Sequence, residues 1–196
     1  MSVMVSGPGH DKIALTKDKE SGTFALADIP KGKEPVDSEI NGLTGALGYL
    51  SIAGVADPKL SDAELGFDKA INYVSTRNNG MVYTVSVGGK APDTDGRLIR
   101  VKSDYVSKLE APEKPAADAD EKVKAAYNNQ LATIEAEKAR LTKESADFNA
   151  KHGPWTYTIA SFKADALLKK RDVLFKDPEP EQKDETTSPA APVPAP

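Results

Sequence analysis

The chain has 196 residues, of which 39% are hydrophobic and 29% charged, and its formal charge is -4 at pH 7. Its 26 basic and 30 acidic residues nearly balance, so the composition gives no support for nucleic-acid binding. The absence of cysteine excludes disulfides, thiol nucleophiles and cysteine-ligated metals. No apolar run of about 18 residues occurs, so we expect any membrane anchor to lie outside this sequence.

The N-terminal region predicts three antiparallel strands. Short alternating runs occur at residues 3–6, 12–17 and 22–27. The first two runs are separated by Gly7-Pro8-Gly9, which is typical of a turn. A phosphate loop or metal-binding turn is the less favoured interpretation, because no GK[ST] follows and no second ligand lies near His10.

Residues 37–52 predict an amphipathic helix with three interior glycines. Its large apolar side chains follow the spacing of one buried face, at Ile40, Leu43, Leu47 and Leu50. The three glycines destabilise the helix by about 2.5 to 3 kcal/mol relative to alanine, whereas burial of the four aliphatic side chains stabilises the docked helix by about 6 to 12 kcal/mol. We therefore expect the helix to form against a sheet. Its GLTGALG segment is not the GxGxxG of a dinucleotide-binding loop.

Residues 71–87 form the clearest predicted hairpin. A two-residue loop, Asn79-Gly80, would place Ile71 and Tyr73 opposite polar residues. A three-residue loop, 78–80, with Gly80 in a left-handed conformation, would instead pair Ile71 with Val87 and Tyr73 with Val85. We prefer the three-residue loop, because it keeps the apolar side chains on one face.

Residues 97–102 predict a further strand, which can continue through Tyr105. The turn before it contains Asp93, Asp95 and Gly96 and could suggest a calcium loop. The third acidic position before the glycine and the closing glutamate of such a loop are missing. A solvated turn is the favoured interpretation.

A proline-broken linker at residues 111–117 precedes a long helix predicted over residues 118–151. Asp118 is a good N-cap with Glu121 three residues later, and Gly153-Pro154 ends the helix. About 33 residues at 1.5 Å each give roughly 50 Å, longer than the roughly 40 Å expected for a compact domain of this size. The helix must therefore protrude or bend.

One apolar row runs along this helix at seven-residue intervals. Its members are Tyr127, Ile134, Leu141 and Phe148. The positions three residues further on are polar, so a two-stranded coiled coil is disfavoured. We predict an arm that lies partly on its own domain or on a partner, with these four residues as the partner-binding set. His152 suits the carbonyl end of the helix better than a metal site.

Residues 154–176 predict one more strand and one more helix. Trp155, Tyr157 and Ile159 alternate as a strand, and we expect these aromatics in the core rather than in a sugar or peptide site. Ser161 can cap a final helix whose apolar side chains are Phe162, Leu167, Leu168, Leu174 and Phe175. Residues 177–196 are acidic and then rich in proline and alanine, a composition that predicts a disordered spacer.

These elements predict an α+β fold. Antiparallel sheets of short strands would pack against amphipathic helices, with one long protruding helix and a disordered C-terminal tail. We divide the chain into residues 1–110 (antiparallel strands with one packed helix), 111–153 (linker and helical arm), 154–176 (completing the first domain) and 177–196 (tail).

Several short motifs have counterparts in one bacterial family. They are the leucine-faced helix 36–52 with Val55-Ala56-Asp57 at its exit, Leu65-Gly66-Phe67-Asp68, Val85-Ser86-Val87-Gly88, and residues 155–159 followed by 170–174. In these the chain resembles the domain of unknown function 4340. The resemblance implies a location on the outer face of the cytoplasmic membrane and association with ABC-type transport systems of the gliding-motility kind. Family members carry an N-terminal membrane helix, which this chain lacks, and no catalytic residues come with the resemblance.

The leading functional hypothesis is a non-catalytic interaction or scaffolding domain. We expect it to be the extracytoplasmic part of a cell-envelope or transporter-associated protein, with a protein partner such as an envelope or transporter component. We predict no catalytic, cofactor or metal site, because nucleophile, paired-acid and metal patterns are missing. The alternatives are a carboxylate-based hydrolase, with Asp93 and Asp95 as candidates, and a structural oligomer assembled through the long helix.

Overall fold

The computed structural model describes residues 1–57, 59–92 and 94–178. Its strands are β1 (Ser2–Gly7), β2 (His10–Lys17), β3 (Phe24–Leu26), β4 (Glu34–Pro35), β5 (Gly54–Val55), β6 (Ile71–Thr76), β7 (Met81–Lys90), β8 (Gly96–Tyr105), β9 (Tyr157–Ala160) and β10 (Phe175–Lys176). The α-helices are α1 (Asp37–Gly45), α2 (Glu121–His152) and α3 (Ser161–Leu167), and short 3-10 helices cover Ala46–Tyr49, Phe67–Lys69 and Arg171–Leu174.

The strands form one large antiparallel sheet and one small pair. The large sheet has eight strands in the order β3-β2-β1-β6-β7-β8-β9-β5, and β10 pairs with β4 separately. The α+β class, the antiparallel sheet of short strands and the long helix are therefore confirmed. Because β9 lies between β8 and β5, residues after the long helix complete the same sheet as the N-terminal strands.

The central hairpin has the predicted register. Ile71 pairs with Val87 and Tyr73 with Val85. The Arg77 N–H donates to the Met81 carbonyl at 2.7 Å, which leaves residues 78–80 as the loop. Gly80 has φ +90°, the left-handed conformation that this loop requires. Apolar side chains of both strands consequently share one face.

That face carries the main core and is covered by helices. Tyr73 is fully buried, and its hydroxyl donates to the Leu43 carbonyl of α1 at 2.9 Å. Ile40 and Leu43 of α1 and Leu167 of α3 are also buried in this core. The helices and sheet thus meet over one continuous apolar layer, as two-layer packing requires.

Helix α1 is shorter than predicted. It ends at Gly45, and the chain tightens into a 3-10 turn over Ala46–Tyr49. Leu47 and Leu50 still pack against the core, so the predicted apolar face is confirmed while the predicted length to residue 52 is wrong. Interior glycines weaken the α-helix enough for the shorter turn to prevail.

A smaller apolar cluster covers part of the opposite face of the sheet. It consists of Leu65, Ala91 and Leu98, with Leu60 and Phe67 packed against it. The Gly89 N–H donates to the Leu65 carbonyl at 2.8 Å. A Cβ on Gly88 would lie 2.7 Å from that same carbonyl oxygen, so only a glycine-containing strand lets this segment cross so closely.

The C-terminal third of α2 packs on the domain and the rest projects from it. Its 32 residues span about 48 Å, and its buried residues are Leu141 and Ser145. The N-cap is Asp120, whose side chain accepts from the Lys122 N–H, so the predicted cap at Asp118 is wrong by two residues. Both aspartates are good caps, and the sequence pattern does not separate them.

The linker before α2 is partly buried. Leu109, Pro112 and Pro115 are half-buried at three-residue intervals, which is the period of a polyproline II helix. Pro115 lies beside Val123 and Tyr127 in the first turns of α2. Pro115 thus lies near the N-terminal end of the apolar row that contains Tyr127.

Four expectations for the C-terminal elements are wrong, and the first is the length of the final helix, which ends at Leu167 and leaves Phe175 in β10. Tyr157 and Ile159 are buried as predicted, but Trp155 is 46% exposed and precedes the strand. Phe162 is 70% exposed on α3, whereas we expected it on the buried face. The N-cap of α3 is Ala160, and the Ser161 hydroxyl instead donates to the Asp95 carbonyl.

The disordered tail predicted for residues 177–196 lies almost wholly outside the described residues. Within the part of the chain that the structure describes, no helix combines the length and hydrophobicity needed to cross a bilayer.

Candidate functional site

One edge of the large sheet is β5, the outermost strand beyond β9. It is joined to β9 by bonds from the Ala53 N–H to the Thr158 carbonyl at 2.7 Å and from the Ala56 N–H to the Thr156 carbonyl at 2.9 Å. The Ala56 bond is in register with the ladder, and alternation counted from it directs the N–H and C=O of Val55 away from β9. Val55 is 54% exposed, and no described strand pairs with the outer side of β5.

Large hydrophobic side chains are concentrated around this edge. Among the described residues, five of the nine exposed large hydrophobics lie in or close to β5 and β9 along the chain: Tyr49, Ile52, Val55, Trp155 and Phe162. We call these five residues the edge patch. Single exposed apolar side chains are ordinary, whereas a concentration beside an unpaired strand is typical of an interaction surface.

Lys163 fixes one side of the edge patch. Its ammonium group donates to the Tyr49 carbonyl at 2.5 Å and to the Ser51 hydroxyl at 2.6 Å. These bonds tie α3 to the chain that leads into β5. The same ammonium group lies 5.8 Å from the centre of the Phe162 ring.

A groove of about 640 Å³ runs beside β5 and shares Val55 with the edge patch. We call it the edge groove. Its walls come from β5, β9, the chain after β5 and the turn between β7 and β8: Ala53, Gly54, Val55, Ala56, Asp57, Leu60, Ala91, Pro92, Thr94, Asp95, Gly96, Thr158, Ile159 and Ala160. Most of these side chains are small and apolar, so the groove can accept the alternate side chains of an extended segment.

The charged residues lining the edge groove are acidic. Asp57 and Asp95 are both exposed, and none of the described residues lining the groove is basic. The Asp57 carboxylate accepts from the Lys59 N–H at 2.9 Å. The groove therefore presents negative charge at its rim and apolar surface inside.

An ion pair stabilises the segment behind the groove. Arg100 donates to Asp62 at 2.7 Å and to the Thr156 hydroxyl at 3.0 Å, and its guanidinium lies 4.2 Å from the centre of the Phe67 ring. The hydrogen bond from Arg100, followed by its charge, lowers the pKa of Asp62. This contact holds residues 62–67 against the sheet and so positions the wall that contains Leu60.

The four residues predicted to bind a partner occupy two different environments. Leu141 is 1% exposed, and Phe148 meets the Tyr83 ring edge-on with centroids 5.7 Å apart. Leu141 is thus unavailable to a partner while the helix is docked. Tyr127 and Ile134 are half-buried on the projecting part of α2 and stay candidates.

A second row of residues, on the same face of α2 as the row predicted from the sequence, was missed. It lies four residues after each member of the first row, at Leu131, Lys138, Ser145 and His152. Of these, Ser145 is buried and His152 hydrogen-bonds the Tyr157 hydroxyl at 3.0 Å. Together the two rows recur at alternating intervals of four and three residues, which is the signal of a helix face. This signal was weak because Leu131 is the one large apolar residue of the second row.

The groups weighed for catalysis or metal binding do not converge in the described part of the chain. Asp93 lies outside the described residues, and Asp95 is exposed in the groove rim. His10 bonds backbone carbonyls, whereas His152 packs on Phe148. No cluster of three or more histidine and acidic side chains suited to a metal occurs among the residues described.

Comparison with protein-family models, with curated proteins and with solved structures gives no match for this chain. The resemblance to the domain of unknown function 4340 stays a prediction that rests on the short motifs themselves.

Proposed function

We propose that this protein is a non-catalytic interaction domain that binds an extended segment of a partner protein by adding it as a strand to β5. The observation that carries the proposal is the position of β5 at the end of an eight-stranded sheet, where no described strand pairs with its outer side and Val55 is 54% exposed. In strand addition, backbone hydrogen bonds supply affinity and flanking pockets supply specificity. Both parts are present at this edge.

The surroundings of β5 define the chemistry of the segment that fits. Side chains of an added strand point alternately to its two sides. One side would meet the small apolar walls of the edge groove, and the other would meet the edge patch near Val55 and Phe162. Asp57 and Asp95 at the groove rim favour a lysine or arginine at a groove-facing position. The proposed ligand is an extended, largely apolar segment with at least one basic residue.

The cell-envelope setting is a separate part of the proposal. A location outside the cytoplasmic membrane and a transporter component as partner rest on the family resemblance alone. The hydrolase and the helix-built oligomer stay alternatives without a specific supporting contact among the described residues.

The proposal can be tested with a displayed library of short random peptides selected on the wild-type domain. We expect enriched peptides to alternate apolar residues and to include basic ones. A Val55→Pro variant removes the outward N–H while leaving the bonds of Ala53 and Ala56 to β9 in place, because proline is tolerated on edge strands. Peptide binding should fall at least about tenfold in this variant, since backbone bonds and strand fit are lost together.

A matched Val55→Thr variant keeps the N–H and the β-branched shape, so it should retain most of the affinity. Circular dichroism and a melting curve check that both variants fold. Equal peptide binding by wild type and Val55→Pro would contradict the proposal. A wild-type dimer that Val55→Pro converts to monomer would show that a second copy, rather than a foreign segment, occupies the edge.

A further inference from the structure

A second recess lies on the helical face of the sheet, away from β5. It has a volume of about 210 Å³ and opens between the chain after α1 and the C-terminal part of α2. Its lining residues are Leu47, Leu50, Arg77, Tyr83, Thr84, Val85, Val101, Lys102 and Phe148. We call it the arginine slot.

The slot exists because two covering elements do not meet. Leu47 and Leu50 pack on the core from one side, and Phe148 packs on Tyr83 from the other. The floor between them is formed by Val85 and Val101, which pair across β7 and β8. The apolar side chains thus leave the arginine slot partly exposed rather than closing the core over it.

One side chain lining the arginine slot is an exposed cation, Arg77. The Arg77 guanidinium carbon is 5.4 Å from the centre of the Tyr83 ring, and the side chain is exposed. Among the described residues, Arg77 forms no salt bridge. Lys102, the other cation in the lining, is paired with Asp104 at 2.9 Å. Arg77 is therefore the charge available to a ligand.

The size and chemistry of the slot select one ligand class. A volume of about 210 Å³ is below the range of drug-sized sites and suits a body of about one ring. The rings of Tyr83 and Phe148 favour an aromatic body, and no acidic residue lines the slot among those described. Guanidinium groups recognise carboxylates with directed hydrogen bonds.

We propose that the arginine slot binds a small aromatic carboxylate, with the ring over Val85 and Val101, beside the Tyr83–Phe148 pair, and the carboxylate on Arg77. This inference is independent of strand addition at β5, because the two sites share no lining residue.

The test uses 3-phenylpropionate and its neutral counterpart, 3-phenylpropanamide, titrated into the full chain and followed by NMR chemical shifts. We expect both to perturb Tyr83, Val101 and Phe148, and the carboxylate to bind about fivefold more tightly, as an exposed ion pair allows. Arg77→Gln should reduce carboxylate binding to the level of the amide. Lys102→Gln should change little, because its ammonium is already paired.

A second variant tests the slot itself. Leu47→Trp places a larger side chain at the half-buried rim and should block both probes, and a melting curve reports whether it folds. Equal binding of acid and amide, shifts that map elsewhere, or no binding up to about 10 mM would each overturn the proposal. Retained preference for the acid in Arg77→Gln would also overturn it, even if Leu47→Trp failed to fold.

Discussion

Asn149 on α2 bonds both backbone groups of Ser103 on β8. Its Oδ1 accepts from the Ser103 N–H at 2.8 Å, and its Nδ2 donates to the Ser103 carbonyl at 2.7 Å. Strand β9 pairs with β8 only from Gly96 to Ile99, so this part of β8 would otherwise be an open edge. The long helix thus protects the edge that β9 leaves uncovered.

The first prediction concerns this contact. Asn149→Ala leaves the Ser103 N–H and C=O without partners, and Ser103 is 0% exposed. We expect the free energy of unfolding to fall by about 2 kcal/mol or more, measured by urea denaturation. Asn128→Ala, at an exposed position on the projecting part of α2, should change it by less than about 0.5 kcal/mol. Similar losses in the two variants would show that Asn149 does not anchor the helix.

The second prediction isolates the close approach at the hairpin loop. Gly80 and Gly9 both have positive φ, +90° and +71°. A Cβ on Gly80 would overlap the Val106 carbonyl oxygen, whereas a Cβ on Gly9 meets no atom within 4 Å. Gly9→Ala should destabilise by about 1 to 2 kcal/mol through backbone strain alone.

Gly80→Ala should lower the free energy of unfolding by at least about 1 kcal/mol more than Gly9→Ala does, because the chain after β8 must also move. Thermal or urea unfolding of both variants measures the difference. Equal losses would mean that the contact with Val106 contributes nothing.

The third prediction concerns alkaline pH. Burial raises the pKa of Tyr73 above its ordinary value of 10.0. The native state therefore holds this proton more tightly than the unfolded chain. The contribution of the Tyr73 hydroxyl to the free energy of unfolding is therefore complete below about pH 10 and is lost as pH rises above it. Tyr73→Phe should cost about 1 kcal/mol at neutral pH through the lost bond to Leu43.

Because phenylalanine does not titrate, the stability difference between wild type and Tyr73→Phe should shrink above about pH 10. Unfolding curves at several pH values test this. A difference that stays constant or grows would contradict it.

The fourth prediction concerns the wall of the edge groove. Arg100→Gln removes the hydrogen bond and charge that lower the pKa of Asp62, so that pKa should rise toward its ordinary value of 3.8. Carboxyl NMR titration measures it. Arg140→Gln is the matched control: it should raise the pKa of Glu137, which Arg140 lowers chiefly by a hydrogen bond, and leave Asp62 unchanged. If the pKa of Asp62 is unchanged in Arg100→Gln, the two residues do not interact in solution.

Local patterns predicted the local structure well. The register of Ile71 with Val87 followed from alternation and from one glycine, because a shift by one residue would expose the whole apolar face. The long helix followed from its apolar row and its end signals. Its cap was misplaced because Asp118 and Asp120 are equally good candidates.

Sheet order was beyond local patterns. β5 has only two residues, one of them Gly54, and carries no alternation that would mark a strand. Its place at the sheet edge depends on pairing with β9, more than 100 residues later in the chain. For the same reason the exposure of Trp155 and Phe162 could not be foreseen. The edge groove, being made by these long-range neighbours, was missed with them.

Hydrogen exchange at the Val55 amide tests the proposed strand addition most directly. With a peptide selected on the wild-type domain, the Val55 amide should exchange at least about tenfold more slowly, because its outward N–H gains a partner. The Ala53 and Ala56 amides already bond β9 and should change less. Peptide binding with an unchanged exchange rate at Val55 would contradict the account.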